Sequence, residues 1–355
     1  MFITLKFKHI ILLALIISSS FILINFSKTY FNAEETISPA ETKSMETKSK
    51  DFIKWVDFSV SHSALKDTLN LDIKTSTDPK NHIPMVNSLS YLAARNGGNF
   101  KNYKKADLDK LSKEIAEGKS FDELTKNLKY YDYYFNAYSA ILSEYVGYYG
   151  KESAIGDDAE TKEWLEHYGL KVFSPIAEGF GYSHYDDFGS SRTYGFARKH
   201  LGHDMMGSVG TPIIAVESGT VEALGWNRYG GWRIGIRSFD KKRYYYYAHL
   251  RKDHPYQSGL KEGSTVNAGD VIGYLGMTGY SIKENVNNID TPHLHFGIQL
   301  IFDESQKDGN GEIWIDCLSL TNLLSGNRSE VYYDKEKKEY YRKYNYYEIK
   351  NRSDL

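Results

Sequence analysis

A short histidine motif near the middle of the chain has a spacing that suits metal binding. The segment 200–204 reads His-Leu-Gly-His-Asp and contains a His-x-x-x-Asp pair formed by His200 and Asp204. Such a pair is weak evidence alone, because it often arises by chance. Gly202 inside the motif argues against a long helix, so we expect the pair on an extended or turning segment.

A second motif, Pro-His-Leu-His-Phe-Gly-Ile, occupies 292–298. Read as a strand, it puts His293 and His295 on one face and the apolar side chains on the other, because side chains alternate along a strand. Two neighbouring imidazolium cations would repel each other, so the pair favours a metal or a shared catalytic task. Gly297 falls on the histidine face, where the missing side chain leaves room for a peptide, and is a candidate substrate-binding residue.

A third histidine, His249, ends the segment Tyr-Tyr-Tyr-Ala-His-Leu at 245–250. In a regular strand His249 shares a face with Tyr247, while Ala248 and Leu250 face the core. A lone histidine at a strand end is usually structural. Tyr247 is a further candidate for substrate binding, because tyrosine combines contact area with a hydrogen-bonding tip.

Taken in chain order, these motifs resemble those of the lysostaphin-like (LytM-type) zinc endopeptidases, which act on bacterial peptidoglycan. The likeness covers about 173–301 and includes the segments between the motifs. These segments are Gly210-Thr211-Pro212-Ile213, Ser218-Gly219-Thr220-Val221, Ala268-Gly269-Asp270-Val271-Ile272-Gly273 and Gly276-Met277-Thr278-Gly279-Tyr280-Ser281. The resemblance implies a metalloendopeptidase that hydrolyses cross-bridges or stem peptides of the cell wall.

The resemblance also implies a role for each matching residue. His200, Asp204 and His295 correspond to the ligands of one Zn²⁺ ion per chain, and His249 and His293 to the catalytic histidines. None of these positions is missing, which argues against a member that has lost activity.

Two further residues lie close to the first motif. Tyr194 resembles a tyrosine that helps to stabilise the transition state in some members, so it is a candidate substrate-binding residue. His203 departs from the family pattern, in which this position is usually apolar. We expect His203 to be inert or to support the ligands indirectly.

The ligand set suits hydrolysis by metal-activated water. Two neutral imidazoles and one carboxylate leave one zinc position open, and the charge of the site lowers the pKa of water from about 16 toward 7. An unligated histidine can then act as general base. Whether His249 or His293 is the base stays open. The single cysteine, Cys317, excludes a cysteine-rich metal site.

Two other functions remain open on sequence grounds. The chain could be a catalytically silent envelope scaffold or a regulator of other wall hydrolases, or it could be a secreted protease that acts on glycine-rich proteins. The complete ligand set counts against the scaffold. A net charge of -2 does not favour nucleic-acid binding.

The amino terminus predicts export. Lys6 and Lys8 precede an apolar run over 10–26, so residues 1–30 are interpreted as a signal-anchor transmembrane segment, with signal cleavage and secretion as the alternative. Residues 31–50 are interpreted as a solvated linker. The catalytic domain is therefore expected outside the cytoplasm of a single-pass membrane protein.

The remaining chain predicts an α+β protein. Residues 51–165 are expected to form a helical region of unknown role, in which Leu108, Leu111 and Ile115 share one helix face and Ser120 caps another helix. Residues 170–325 are expected to form the peptidase domain, and the resemblance implies a mainly antiparallel β fold with an open groove and a duplicated hybrid motif. The Tyr/Lys-rich tail 326–355 could be a hairpin, an aromatic patch that contacts the wall, or a solvated appendage, and we favour the last interpretation.

Overall fold

The described part of the chain begins with helices and continues mostly in β-strands. It is a computed structural model that describes residues 52–155, 158–195 and 197–349. The predicted membrane segment 1–30 and linker 31–50 lie outside these residues. Within the described ranges, no helix is long and apolar enough to cross a membrane.

The helices lie where the apolar periodicity predicts them. The described helices of this region are α1 (His62–Thr75), α2 (Met85–Asn96), α3 (Lys105–Ala116), α4 (Phe121–Thr125) and α5 (Tyr131–Leu142). Leu108, Leu111 and Ile115 are the buried residues of α3, as expected for one helix face. Ser120 and Glu123 form the capping box that starts α4.

The expectation of helix up to 165 is wrong beyond α5. The chain instead forms a long antiparallel hairpin of β1 (Val146–Ile155) and β2 (Asp158–Leu170). Tyr148 pairs with Tyr168 across the ladder, with ring centroids 4.8 Å apart. Tyrosine favours strands when such a cross-strand neighbour exists, and that neighbour lies outside any helical window.

A large antiparallel sheet forms the centre of the second half of the chain. Its strand order is β11-β8-β9-β10-β13-β6-β3, and β14 pairs with β13 on the same side as β6, beyond the end of β6. The strands are β3 (Tyr182–Tyr185), β6 (His203–Gly207), β8 (Gly219–Asn227), β9 (Gly231–Ser238), β10 (Arg243–Ala248), β11 (Thr265–Val266), β13 (His293–Leu300) and β14 (Ile313–Ile315). The expected mainly antiparallel β architecture is confirmed.

Smaller elements complete the described fold. Strands β7 (Pro212–Ile214) and β12 (Val271–Tyr274) pair with each other, as do β4 (Ser191–Arg192) and β5 (Arg198–Lys199). Helix α6 (Leu318–Leu324) follows β14 and packs against α1.

The Tyr/Lys-rich tail is part of the fold, so its interpretation as a solvated appendage is wrong. Strands β15 (Val331–Asp334) and β16 (Glu339–Arg342) form a hairpin, and β17 (Tyr346–Glu348) pairs with β1. Tyr346 is buried and donates a hydrogen bond of 2.7 Å to the carbonyl of Lys171. The sequence hides this role because the buried tyrosines stand among many lysines and glutamates.

Helices and main sheet share one core and one buried ionic network. Arg243 on β10 is completely buried and binds Glu217 through two nitrogens, at 2.8 and 3.0 Å. Its remaining guanidinium nitrogen donates a 2.6 Å bond to the carbonyl of Ala140 in α5. Tyr245 also bonds Glu217, and its hydroxyl lies 3.3 Å from that of Tyr145. The helical region is therefore joined to the sheet rather than standing as a separate stalk.

Candidate metal centre and groove

The sheet brings the two histidine motifs together from positions 91 to 95 residues apart. On β13, His295 lies directly opposite Asp204 on β6, and His200 precedes β6 in a loop. Leu294 and Phe296 are completely buried on the other face of β13, as the predicted alternation requires.

The glycine of the first motif makes this approach possible. A Cβ atom at Gly202 would lie 2.4 Å from Cε1 of His295 and 3.0 Å from the carbonyl oxygen of Phe296. Any other residue at this position would push the imidazole of His295 out of place. Gly202 is thus a packing requirement of the site rather than only a helix-breaking residue.

Three side chains converge on one point. His200 Nε2 lies 3.1 Å from Asp204 Oδ1 and 2.8 Å from His295 Nδ1, and His295 Nδ1 lies 3.0 Å from Asp204 Oδ1. Ligands about 2.1 Å from a tetrahedral metal lie roughly 3.4 Å from one another, a few tenths of an ångström more than these spacings. Two imidazoles and one carboxylate also form a normal ligand set for zinc, so the donors fit this ion.

The carboxylate of the site is held in its ionised form. Burial opposes ionisation, but hydrogen bonds with His200 and His295, together with the charges of His295 and His293, hold the pKa of Asp204 well below its usual range. Asp187 Oδ1 lies 2.8 Å from His200 Nδ1, although the two groups are not aligned as a hydrogen bond. Arg192 pairs with Asp187 and lies 3.6 Å from Asp204 Oδ2. These neighbours orient the ligands and balance their charge.

His249 and His293 flank the ligands with one ring nitrogen fixed. His249 Nδ1 donates to the carbonyl of Thr278 and His293 Nδ1 to that of Thr291, each at 2.8 Å. Their Nε2 atoms are thereby left as proton acceptors, and His293 Nε2 lies 3.7 Å from Asp204 Oδ1. Burial, followed by the charges of His293 and His295, lowers the pKa of His249 well below its ordinary value.

His249 does not continue the strand alternation. Its φ of 62° is in the left-handed region, and its N–H donates to the carbonyl of Gly230. This turn moves its ring onto the face of Tyr244 and Tyr246, which line the groove together with His249. The expectation that His249 shares a face with Tyr247 is therefore wrong.

Two of the three predicted substrate-binding residues are not available to a ligand. Tyr247 is completely buried, and its hydroxyl accepts a hydrogen bond from the N–H of Val216. A Cβ atom at Gly297 would lie 2.8 Å from the ring of Trp314, so this glycine makes room for the indole rather than for a peptide. Both assignments to substrate binding are wrong.

The third, Tyr194, lies in an aromatic and cationic cluster beside the metal centre. Its ring stacks on that of Tyr280 with centroids 4.9 Å apart, and meets that of Tyr229 edge to face. Arg198 lies over the rings of Tyr229 and Tyr280 and donates to the carbonyl of Tyr194. Tyr194 is half exposed in this cluster, so contact with a substrate remains a prediction.

His203 lies on the other face of β6 from Asp204 and is buried. Its Nε2 lies 2.7 Å from Nδ1 of His184 on β3. Burial, followed by the charge of His184, lowers the pKa of His203 to about 4. Two neutral imidazoles therefore share a hydrogen bond behind Asp204, outside the three-residue ligand cluster.

A groove of about 760 Å³ runs past the metal centre. Its residues include Tyr244, Tyr246, Trp314, Tyr280 and Arg233, none of which was assigned a role in the site from the sequence. The only sequence signal for Tyr244 and Tyr246 is the tyrosine run itself. The prediction made from that run was Tyr247, whose side chain points to the opposite face of β10.

The histidine constellation also matches a known family. Residues 198–308 match peptidase family M23. This segment, which carries all three histidine motifs, is similar to that family. The M23 match and the relatives below confirm the resemblance to lysostaphin-like peptidases.

Curated proteins that are similar to this chain include named peptidases. The chain is 35% identical to the L-Ala--D-Glu endopeptidase of Bacillus subtilis (strain 168) over 155 residues, which cover 42% of this chain and 46% of that protein. It is 34% identical to lysostaphin of Staphylococcus simulans over 135 residues, covering 38% and 22%. The chain thus spans less than half the length of these curated relatives.

Among solved structures, the chain is similar to the catalytic domain of lysostaphin from Staphylococcus simulans. That structure is 29% identical, with 40% of this chain and 92% of that one covered, at a TM-score of 0.30.

Proposed function

We propose that this protein is a zinc-dependent endopeptidase that hydrolyses peptides of bacterial peptidoglycan. The observation that carries the proposal is the convergence of His200 Nε2, Asp204 Oδ1 and His295 Nδ1 within 3.1 Å of one another at the groove. The name of the Bacillus subtilis relative, an L-Ala--D-Glu endopeptidase, supports the same reaction.

The side chains around the ligands suit peptide hydrolysis. Zinc bound by these three ligands would polarise a carbonyl group and lower the pKa of water. His249 and His293 each keep a free Nε2 beside the ligands, so one can accept a proton and the other can donate a hydrogen bond to the developing charge or to the leaving amine. The low pKa of His249 keeps it neutral, as a general base must be.

The shape of the groove suits an extended peptide. The tyrosines of β10 form part of its floor, because glycines take the positions beneath their rings. A Cβ atom at Gly235 would lie 1.9 Å from the Tyr244 hydroxyl, and one at Gly230 would lie 2.2 Å from that of Tyr246. Flat aromatic surface beside a metal centre binds a peptide backbone without demanding one side chain.

We also propose that the enzyme works outside the cytoplasm. This part of the proposal rests on the basic and apolar pattern of residues 1–30, which favours export with or without retention in the membrane.

The test is digestion of purified sacculi by the full-length protein. With one zinc ion per chain, we expect soluble fragments whose mass spectra show new amino termini within the wall peptides. A chelator should stop the release and added zinc should restore it. A zinc-loaded protein that releases nothing from sacculi but cleaves glycine-rich proteins would refute the proposed substrate.

A further inference from the structure

Arg233 on β9 is a cation in the groove that has no anion to pair with. Among the described residues, no carboxylate forms an ion pair with it, and its Nε atom is buried without a hydrogen-bond partner. A buried donor without a partner costs free energy, more so when the group is charged. A ligand that enters the groove could remove this cost by supplying the missing hydrogen-bond acceptor.

Two other basic groups of the groove, Arg192 and Lys307, differ from Arg233 in this respect. Arg192 is paired with Asp187, and Lys307 is paired with Glu222, which also faces Arg237 at 3.6 Å. These charges are balanced within the protein. The charge of Arg233 is left for a molecule that enters the groove.

The strand register places Arg233 in line with the metal ligands. Ile234 lies opposite Tyr247, so Arg233 is level with Ala248, and Ala248 lies opposite His295. The same row continues from His295 to Asp204. Directly opposed residues share a face, and two strand spacings amount to about 10 Å between the Cα atoms of Arg233 and His295.

This distance defines where a bound anion would lie in a substrate. An extended peptide advances about 3.3 Å per residue. An arginine side chain that spans part of the 10 Å would therefore meet a carboxylate within one or two residues of a carbonyl group held at the metal centre.

We propose that Arg233 binds a free carboxylate of the substrate next to the scissile bond, and so directs the enzyme to acidic wall peptides rather than to uncharged glycine bridges. The inference rests on the proposed peptidase function and names the substrate class of that site. A guanidinium matches a carboxylate through two parallel hydrogen bonds, which a lysine cannot reproduce. Arg233 is half-buried beside Tyr244 and Tyr246, where such bonds are stronger than in open water.

The test compares two peptides that differ in one charge. The first is L-Ala-γ-D-Glu-L-Lys with an acetylated amino end and an amidated carboxyl end, which keeps the free α-carboxylate of the D-glutamyl residue. The second carries a carboxamide in place of that carboxylate. We expect the wild-type full-length protein to hydrolyse the first with a kcat/KM at least about tenfold higher.

Substitutions of Arg233 should remove this preference in a graded way. Arg233→Gln should lower kcat/KM for the acidic peptide about tenfold or more and leave that for the amidated peptide unchanged. Arg233→Lys should retain part of the preference. Lys242→Gln, which removes an exposed charge from the turn before β10, should behave as wild type. An equal loss on both peptides would mean that Arg233 is only structural, and would overturn the proposal.

A binding measurement separates this inference from the proposed function. In His249→Ala, the acidic peptide should bind at least about tenfold more tightly than the amidated one, and Arg233→Gln in that background should abolish the difference. Equal binding of both peptides overturns the role of Arg233 even if sacculi are digested. If the wild type cleaves neither sacculi nor either of the two peptides, the proposed peptidase function is refuted, whatever the binding result.

Discussion

The imidazoles of His249 and His293 meet edge to face with ring centroids 4.7 Å apart, and each donates its Nδ1–H to a backbone carbonyl. Both tautomers are thus fixed by the main chain rather than by a carboxylate. Neither ring needs to rotate before its Nε2 can accept a proton beside the ligand cluster.

The ligands and the flanking histidines should respond differently to substitution. His295→Ala and Asp204→Ala each remove one of three metal-binding groups, so bound zinc and hydrolysis should be lost together. His249→Ala leaves the ligands in place and should keep zinc at one ion per chain, while the rate falls about 10²- to 10⁴-fold. Zinc content and digestion of sacculi measure the two effects. A His249→Ala protein with the full rate would exclude a catalytic role for His249.

Gly202→Ala should weaken zinc binding without changing a ligand. The added Cβ would lie 2.5 Å from Nε2 of His295, so the ring must shift away from Asp204. We expect zinc affinity to fall about 10- to 100-fold, as when groups that orient ligands are changed. Competition with a chromogenic chelator measures this affinity. Gly181→Ala is the control, because its Cβ would meet nothing within 4 Å; equal affinities of the two variants would contradict the prediction.

The His184–His203 pair should make the fold sensitive to mild acid. Because burial and His184 lower the pKa of His203 to about 4, the unfolded chain takes up a proton between pH 6.5 and 4 that the folded chain does not. The contribution to stability is present above pH 6.5 and is lost as the pH falls toward 4, by at most about 1.4 kcal/mol per pH unit.

Urea unfolding at two pH values, with zinc removed by a chelator, measures this effect. His203→Gln keeps a neutral polar side chain beside His184 but cannot titrate. Its free energy of unfolding should fall less than that of the wild type between about pH 7 and pH 5. The same loss in both proteins would show that His203 is not the group responsible.

Arg243→Met should destabilise the protein by about 3–5 kcal/mol, because it leaves Glu217 buried without its cation. Urea unfolding at neutral pH measures the change. Lys242→Met, at the exposed neighbouring position, should stay within about 0.5 kcal/mol of wild type. Adding Glu217→Gln to Arg243→Met should recover part of the loss; no recovery would indicate that lost packing rather than the unpaired charge is the cause.

Local sequence patterns were sufficient for the parts of the site that lie on regular strands. The alternation of His293 and His295 with Leu294 and Phe296 correctly predicts which side chains enter the core. The capping box at Ser120 and the apolar face of α3 were also visible, since their signals lie within a few residues.

The remaining features depend on contacts between distant residues. The left-handed turn at His249 is held by the carbonyls of Gly230 and Thr278, and it decides which tyrosines face the groove. The space beside Gly297 is filled by Trp314 from another strand. Neither partner can be inferred from the spacing of residues within one motif.

The pairing of β17 with β1 has a consequence for the integrity of the carboxyl end. Strand β1 has β2 on one side and only the few residues of β17 on the other. Loss of β17 would expose main-chain donors and acceptors of β1, and an open strand of this kind can pair with other chains. Tyr346 and Tyr347 of β17 thus belong to a segment that shields β1 from self-association.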